Sequence, residues 1–268
     1  RRALAQAGLV PIDAQVLLAH VLAKDRAWLV AHDTDALDRG VLDRFFALAK
    51  RRRDGEPVAY LTGRREFHGL DLTVSPSVLI PRPETETLVE AALARLPADR
   101  PLRLLDLGTG SGAIALALAH ALPRAHVLGV DASPAAVAVA QDNAARHSLA
   151  NARFVHGDWY RGIGDGVRFD AIVSNPPYVA ERDPHLAQGD LRFEPPAALT
   201  AGPDGLGALR PIVAGAPAHL AAGGWLIVEH GYDQADAVRA LLGDAGFTAL
   251  ASLRDLAGIP RVGAGRLP

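Results

Sequence analysis

The chain has 268 residues, 49% of them hydrophobic, with 28 basic and 30 acidic side chains, 51 Ala and neither Cys nor Met. That length and apolar fraction suit one large or two ordinary domains with a real core, which excludes disorder as the main state. Zero Cys excludes disulfides, thiolate nucleophiles and Cys-ligated zinc, and a formal net charge of −2 argues against a broad nonspecific nucleic-acid surface.

No apolar run reaches the roughly 18 residues needed to span a bilayer, and charges interrupt the start of the chain where a signal peptide would stay apolar. A soluble, cytoplasmic protein is expected, and the missing initial Met suggests a trimmed or partial chain. In chain order, residues 1 to about 62 predict helices at 3–8, 13–24 and 39–53. In the second of these, Val16, Leu17, Val21 and Leu22 make an apolar stripe at helical spacing beyond Pro11, with Asp13 the expected N-cap. Leu70, Leu72 and Val74 then alternate with polar neighbours after Gly69, which predicts a short hairpin acting as a linker.

From residue 77 onward the pattern changes. Short β-type runs at 102–107, 126–130, 152–156, 169–174, 225–229, 247–252 and 261–267 alternate with Ala-rich helical segments at 113–122, 133–147, 206–220 and 234–243. Ser133 followed by Pro134 supplies an N-cap and first-turn pair. Such alternation predicts an α/β fold, a mostly parallel sheet with helices on both faces. The expected division is a helical domain over 1–63, a hairpin linker over 64–76 and a larger domain over 77–268. In such sheets ligands sit beyond the carboxyl ends of the strands, so those ends are where chemistry is sought.

After the first run the chain reads Gly108-Thr109-Gly110-Ser111-Gly112 and enters a helix. Alternate glycines permit a tight turn and bring a ligand against main-chain N–H groups. The second run ends at Asp131, at the spacing where a carboxylate accepts hydrogen bonds from ribose hydroxyls. Together they imply a nucleoside-bearing cofactor, either a dinucleotide or S-adenosylmethionine. Asp158 after the third run offers an acceptor for an adenine amino group, and Trp159 offers a ring beside the purine or else a core contact.

The fourth run ends in Asn175-Pro176-Pro177-Tyr178. Two prolines hold the backbone stiffly extended, so the Pro176 carbonyl is presented at a fixed place. The Asn175 side chain adds a second acceptor and Tyr178 a flat wall. A planar NH2 group fits such a pocket, two acceptors taking its hydrogens while a ring stacks on its face.

Asn-Pro-Pro-Tyr behind a Gly-x-Gly-x-Gly loop resembles methyltransferases that act on planar amino or amide nitrogens. Further motifs narrow the resemblance: Pro81-Arg82-Pro83-Glu84-Thr85-Glu86, Glu56-Pro57-Val58-Ala59-Tyr60-Leu61, Glu66-Phe67-His68-Gly69, Asp190-Leu191-Arg192-Phe193-Glu194-Pro195, Glu229-His230-Gly231-Tyr232-Asp233-Gln234 and Asp255-Leu256-Ala257-Gly258-Ile259-Pro260. In that order they are similar to the peptide chain release factor glutamine methyltransferase family across nearly the whole chain. A sister group that methylates a ribosomal protein shares several of them, and the stretch from Glu181 to Phe193 is more similar to the release-factor enzymes. His230 stands where the family more often has an apolar residue.

The resemblance implies a Rossmann-like class I methyltransferase with a seven-stranded sheet, a helical substrate-docking domain, and S-adenosylmethionine converted to S-adenosylhomocysteine. It places Gly108, Thr109, Gly110, Ser111 and Gly112 on the cofactor's methionine end, Asp131 on the ribose, Asp158 and Trp159 by the adenine, and Asn175 between cofactor and substrate. Asn175, Pro176, Pro177 and Tyr178 would hold the substrate, with Asn175, Pro176 and Tyr178 the catalytic set. The implied substrate is the glutamine of a Gly-Gly-Gln motif in class 1 release factors, met by a monomer with no nucleic-acid substrate and no membrane. Arg82, Glu84 and Glu86 read as a structural clasp or as a cover for the site mouth. The run from Lys50 to Arg53 reads as a solvated helix end or as a docking patch. Ten scattered His show no metal-ligand spacing, so no metal is expected.

Overall fold

The computed structural model describes residues 1–164 and 166–268. They form two compact units, Arg1–Arg64 with His185–Phe193, and Arg65–Pro184 with Glu194–Pro268. Among the described residues no helix is long and apolar enough to cross a membrane.

The first unit holds five helices: α1 (Arg2–Gln6), α2 (Pro11–Leu22), α3 (Arg26–Ala31), α4 (Arg39–Arg53) and α5 (Val58–Thr62). Ala14, Leu17 and Leu18 of α2 pack with Phe45 and Ala49 of α4 and Leu61 of α5. Helix α2 starts earlier than its stripe suggests, with Val10 at the N-cap and Pro11 at the first position. Proline's fixed φ prepares that position and its missing N–H costs nothing there. Asp13 is therefore not the cap. Its carboxylate instead accepts from Arg52 Nε at 2.7 Å.

The basic run at the end of α4 is tied inward. Arg51 donates to Glu56 at 2.7 Å, Arg52 also reaches Asp190 at 2.9 Å, and Arg53 donates to the Ala7 carbonyl. Arg192 donates to the Asp54 carbonyl at 2.7 Å, so the two arginines explain why His185–Phe193 belongs with the helices.

In the second unit, β1 (Arg64–Phe67) and β2 (Leu70–Thr73) pair as the expected hairpin. A 3-10 turn at Pro83–Thr85 runs into α6 (Glu86–Leu93), as expected of a clasp in which Pro83 opens a helix with Glu84 and Glu86 in its first turn. The remaining elements are β3 (Arg103–Leu107), α7 (Ala113–Ala121), β4 (His126–Asp131), α8 (Pro134–Arg146), β5 (Ala152–His156), β6 (Phe169–Ser174), α9 (Leu209–Gly215), β7 (Leu220–Glu229), α10 (Ala235–Asp244), β8 (Thr248–Arg254) and β9 (Pro260–Arg266).

The large sheet has seven strands in the order β5-β4-β3-β6-β7-β9-β8. Pairing is parallel from β5 to β7, and β9 runs antiparallel to both β7 and β8. Successive strand residues point to opposite faces. Accordingly Leu104 joins Ile114, Leu116 and Phe154 on one side, while Leu105 and Leu107 join Leu209, Ile212 and Leu226 on the other. Ala113, Ala115, Ala117 and Ala119 of α7 are all buried, and Ala136, Ala140 and Ala144 of α8 are buried likewise, small side chains that let the helices lie close on the sheet.

The helix expected over 206–220 is shorter. Gly202 and Gly205 at φ +73° and +71° form a turn before it, and a 3-10 turn at Ala216–Ala218 ends it around Pro217, which has no N–H to donate. The chain then enters β7 at Leu220, opposite Phe169 of β6, with a register shift before Trp225.

Gly129, midway along β4, has no room for a side chain: a Cβ there would lie 2.5 Å from Phe154 Cδ1 and 2.8 Å from Thr109 Oγ1. Gly129→Ala is expected to lower stability by about 1–3 kcal/mol, the usual cost of overpacking. Urea denaturation of the two proteins measures it, and an unchanged midpoint would contradict the packing described.

Candidate functional site

Four strand ends of the second unit converge on one cavity of about 370 Å³. Its walls include Gly108 and Gly110 after β3, Asp131 at the end of β4, Asp158 and Trp159 after β5, and Asn175 and Pro177 after β6. Ser77, Leu79 and Ala197 come from segments outside the sheet.

The glycine loop folds as its composition requires. Gly108, Gly110 and Gly112 have φ of +72°, +57° and +83°, in the left-handed region that other residues enter at a cost. Gly108 and Thr109 both donate their N–H to the Val130 carbonyl, at 2.9 and 3.0 Å, which pins the loop to the end of β4. Gly110 has open space where a Cβ would stand, whereas a Cβ on Gly112 would press on Ala140 and Leu116 at 3.1 Å. The loop therefore opens at its middle and is packed shut where α7 begins.

Asp131 Oδ2 accepts from Gly110 N–H and Oδ1 from Ser133 N–H, both at 2.8 Å. A carboxylate has about four lone-pair sites, so capacity for ligand hydroxyls remains. Behind the loop, Asp106 is fully buried, with Oδ2 accepting from the Thr109 hydroxyl at 2.6 Å and Ala115 N–H at 3.2 Å, and Oδ1 unpartnered. Burial pushes its carboxyl up to about 7, Asp131 adding to the rise and the two hydrogen bonds opposing it.

Trp159 has φ +50°, a strained conformation for a bulky residue. In it the indole lies across the loop, Cζ3 standing 3.6 Å from where a Gly108 Cβ would be. Strain held at a cavity wall is characteristic of ligand sites.

Asn175, which lines the cavity, donates Nδ2–H to Thr85 Oγ1 at 3.0 Å, so Oδ1 is its remaining acceptor. Tyr178 is largely buried and donates its hydroxyl to Glu229 Oε1 at 3.1 Å. Burial, with Glu229 beside it, raises its pKa, so the phenol stays protonated. The Tyr178 carbonyl accepts from Gln234 Nε2 at 3.1 Å, while Val179 pairs with Leu199 and Ala201 through backbone bonds of 2.9 and 3.0 Å. The rigid Asn-Pro-Pro-Tyr segment is thus clamped on both sides.

Of the residues singled out in the sequence, Gly108, Gly110, Asp131, Asp158, Trp159, Asn175 and Pro177 line the cavity. Thr109, Ser111, Gly112, Pro176 and Tyr178 are not among the residues that line it; Thr109 and Ser111 are buried and Gly112 is packed against Ala140 and Leu116. Arg82 is paired with Glu194, whose other oxygen accepts Ile80 N–H at 3.0 Å, and Glu86 accepts His68 N–H at 3.1 Å. Pro83 opens the turn ahead of α6. His230 is buried, with Nδ1–H donating to the Gly231 carbonyl at 2.8 Å and its pKa lowered by desolvation. Thr85, Asp106 and Glu229 escaped notice as site residues. Their partners lie far away in sequence or, for Asp106, behind the loop.

Among the described residues no cluster of His, Asp and Glu could hold a metal. The donor set instead suits a nucleoside: a carboxylate for hydroxyls, an open glycine edge, and an indole for a flat base.

Residues 85–192 match the Methyltransferase small domain family, and residues 1–63 match the PrmC N-terminal domain. A release factor glutamine methyltransferase of Xylella fastidiosa is 56% identical over 257 residues, 96% of this chain and 93% of the relative. One from Bordetella pertussis is 53% identical, over 98% of this chain and 97% of its own. The solved T. thermophilus 16S rRNA N2 G1207 methyltransferase, in complex with AdoMet and guanosine, is similar with a TM-score of 0.57 and 25% identity, covering 76% of this chain and 50% of that one. With near-complete coverage at such identity, on a sheet whose strand ends carry the glycine loop and Asn-Pro-Pro-Tyr, the chain belongs to the release factor glutamine methyltransferase family.

Proposed function

We propose that this protein is a cytoplasmic enzyme that methylates the side-chain amide nitrogen of the glutamine in the Gly-Gly-Gln motif of class 1 peptide chain release factors, using S-adenosylmethionine. The observation that carries this reading is Asn175: its Nδ2 donates to Thr85, which leaves Oδ1 to accept, and the residue lines the same cavity as Gly110 and Asp131. Only an acceptor at that position recognises a substrate N–H.

S-adenosylmethionine supplies an electrophilic sulfonium methyl when bound. Asp131 would take its ribose hydroxyls, Trp159 and Asp158 its adenine, and the Gly108 to Gly112 loop its methionine end. An amide nitrogen is a poor nucleophile because its lone pair is shared with the carbonyl. Accepting its two hydrogens, at Asn175 Oδ1 and the Pro176 carbonyl, raises electron density on nitrogen and fixes its direction. Positioning and electrostatic preorganisation then carry the rate, without a strong base. Tyr178, kept neutral and hydrogen-bonded to Glu229, braces the segment that aims both acceptors.

Labelled methyl transfer to purified release factor, large-subunit ribosomal protein, DNA and RNA tests the reading, with label expected in the release factor's glutamine. Label in nucleic acid or ribosomal protein alone would overturn it. Asn175→Ala should lose on the order of 10²-fold or more in turnover, the cost of removing one preorganised partner, while binding of S-adenosylmethionine is only modestly weakened. Asp131→Ala should do the reverse, and calorimetric titration separates the two.

A further inference from the structure

Two prolines make the Asn-Pro-Pro-Tyr segment stiff, but stiffness alone does not decide where its carbonyls point. That direction is set where the segment is anchored. Tyr178 is gripped at two points by one short stretch, residues 229–234, at the end of β7 and in the loop beyond it. Its hydroxyl donates to Glu229 Oε1 at 3.1 Å, and its carbonyl accepts from Gln234 Nε2 at 3.1 Å.

Gln234 occupies the N-cap of α10, where Ser, Thr, Asp or Asn ordinarily accepts from a helix N–H, yet its side chain makes no such bond. It is turned to three separate segments instead. Oε1 accepts from Gly231 N–H at 2.8 Å, while Nε2 donates to the Tyr178 carbonyl at 3.1 Å and to the Asp204 carbonyl at 3.4 Å. The two ends of an amide are nearly alike in shape, but an N–H on one side and carbonyls on the other leave this one a single orientation. Gly205 closes the bond from the side. It has φ +71°, and a Cβ there would lie 2.3 Å from the Tyr178 oxygen and 2.7 Å from Gln234 Nε2, so no side chain fits between that turn and the bonded pair.

The peptide plane that Gln234 holds by its carbonyl is held by its N–H as well, since Val179 donates to the Leu199 carbonyl at 2.9 Å. With its hydroxyl and the following peptide plane both fixed, the Cα of Tyr178 is fixed too. Proline's locked φ of about −65° at Pro177 carries that orientation back to the Pro176 carbonyl. We propose that Gln234 is a positioning residue for methyl transfer: by holding the Tyr178 carbonyl, with Gly205 packed against the bond, it aims the Pro176 carbonyl at the substrate nitrogen. This inference rests on the function proposed above. Gln234 itself does not line the cavity.

Gln234→Glu keeps the size of the side chain and the acceptor for Gly231 but sets a carboxylate oxygen against the Tyr178 carbonyl. Gln234→Ala removes the bond without that repulsion, and Gly205→Ala presses a methyl group on the same oxygen from another segment. Each should lower kcat by on the order of 10-fold or more with KM for S-adenosylmethionine within about twofold, because a small misplacement of one partner costs rate. Gln234→Ala and Gly205→Ala together should cost less than the product of their separate effects, since both act on one carbonyl. Wild-type kcat in Gln234→Glu overturns the proposal, and so does a loss of S-adenosylmethionine binding in Gln234→Ala as large as its loss of kcat. If Gln234→Glu fails to fold, Gln234→Ala decides, and wild-type kcat there overturns it equally. A readout without substrate separates this inference from the proposed function. Gln234 makes no bond to the Pro176 carbonyl, yet the isotope-labelled carbonyl carbons of Pro176 and Tyr178 should both shift in ligand-free Gln234→Ala. A Tyr178 signal that moves alone overturns the inference even if the wild-type chain labels release factor. Where both signals move and the wild type labels no candidate, the function fails and the grip stands.

Discussion

Strand order reverses at β3. From that strand the chain moves outward to β4 and β5 on one side, then crosses to β6 and β7 on the other. Because parallel crossovers keep one hand, the loops leaving β3 and β6 must depart over opposite faces, and a crevice opens between them at the carboxyl ends. The walls that the sheet contributes to the cavity follow from this reversal. Gly108, Asp131, Trp159 and Asn175 share no neighbourhood in sequence, yet each lies at the end of a strand or within three residues beyond it, at the same edge of the sheet.

Local spacing made part of this visible without coordinates. The alternation of β-type runs with Ala-rich segments, the glycines at alternate positions and the paired prolines are each encoded within a few residues, and they specify backbone geometry directly. Longer-range decisions left no such mark. Thr85 lies 90 residues from Asn175, inside a charged stretch where it reads as a helix start. Glu229 lies 51 residues from Tyr178 and closes an apolar run, so it reads as a strand's polar end. The segment over 206–220 is rich in Ala and Leu, and composition alone makes it one helix; Pro217 and the turn glycines, which act by removing a donor or permitting positive φ, decide otherwise. Helices α3 and α5 have six and five residues, too few for a period to show.

Charge was legible in amount and not in use. The run from Lys50 to Arg53 has the look of a patch, but three of its arginines are committed to Glu56, Asp13, Asp190 and the Ala7 carbonyl inside the first unit. The near-neutral total is partly the sum of such internal pairs, which leaves less free positive surface than the count of basic residues suggests. That distribution disfavours a polyanion as substrate more strongly than the net charge does by itself.

Two buried acids remain costly under any purely structural account. Asp106 and Glu229 each sit at or near the carboxyl end of a central strand, each has one oxygen without a partner, and burial holds each carboxyl near 7. An unsatisfied buried polar atom costs about 1–3 kcal/mol, and an apolar side chain of similar volume would avoid it. Between about pH 4 and 7 the unfolded chain releases these protons while the native chain keeps them, so both acids make the fold less stable as pH rises through that range. What they provide is direction. Asp106 fixes the Thr109 hydroxyl and the Ala115 N–H, where the glycine loop turns into α7; Glu229 fixes the Tyr178 hydroxyl at the end of the Asn-Pro-Pro-Tyr segment. One braces the glycine loop and the other the Asn-Pro-Pro-Tyr segment, and no apolar residue could hold a hydroxyl's orientation at either place.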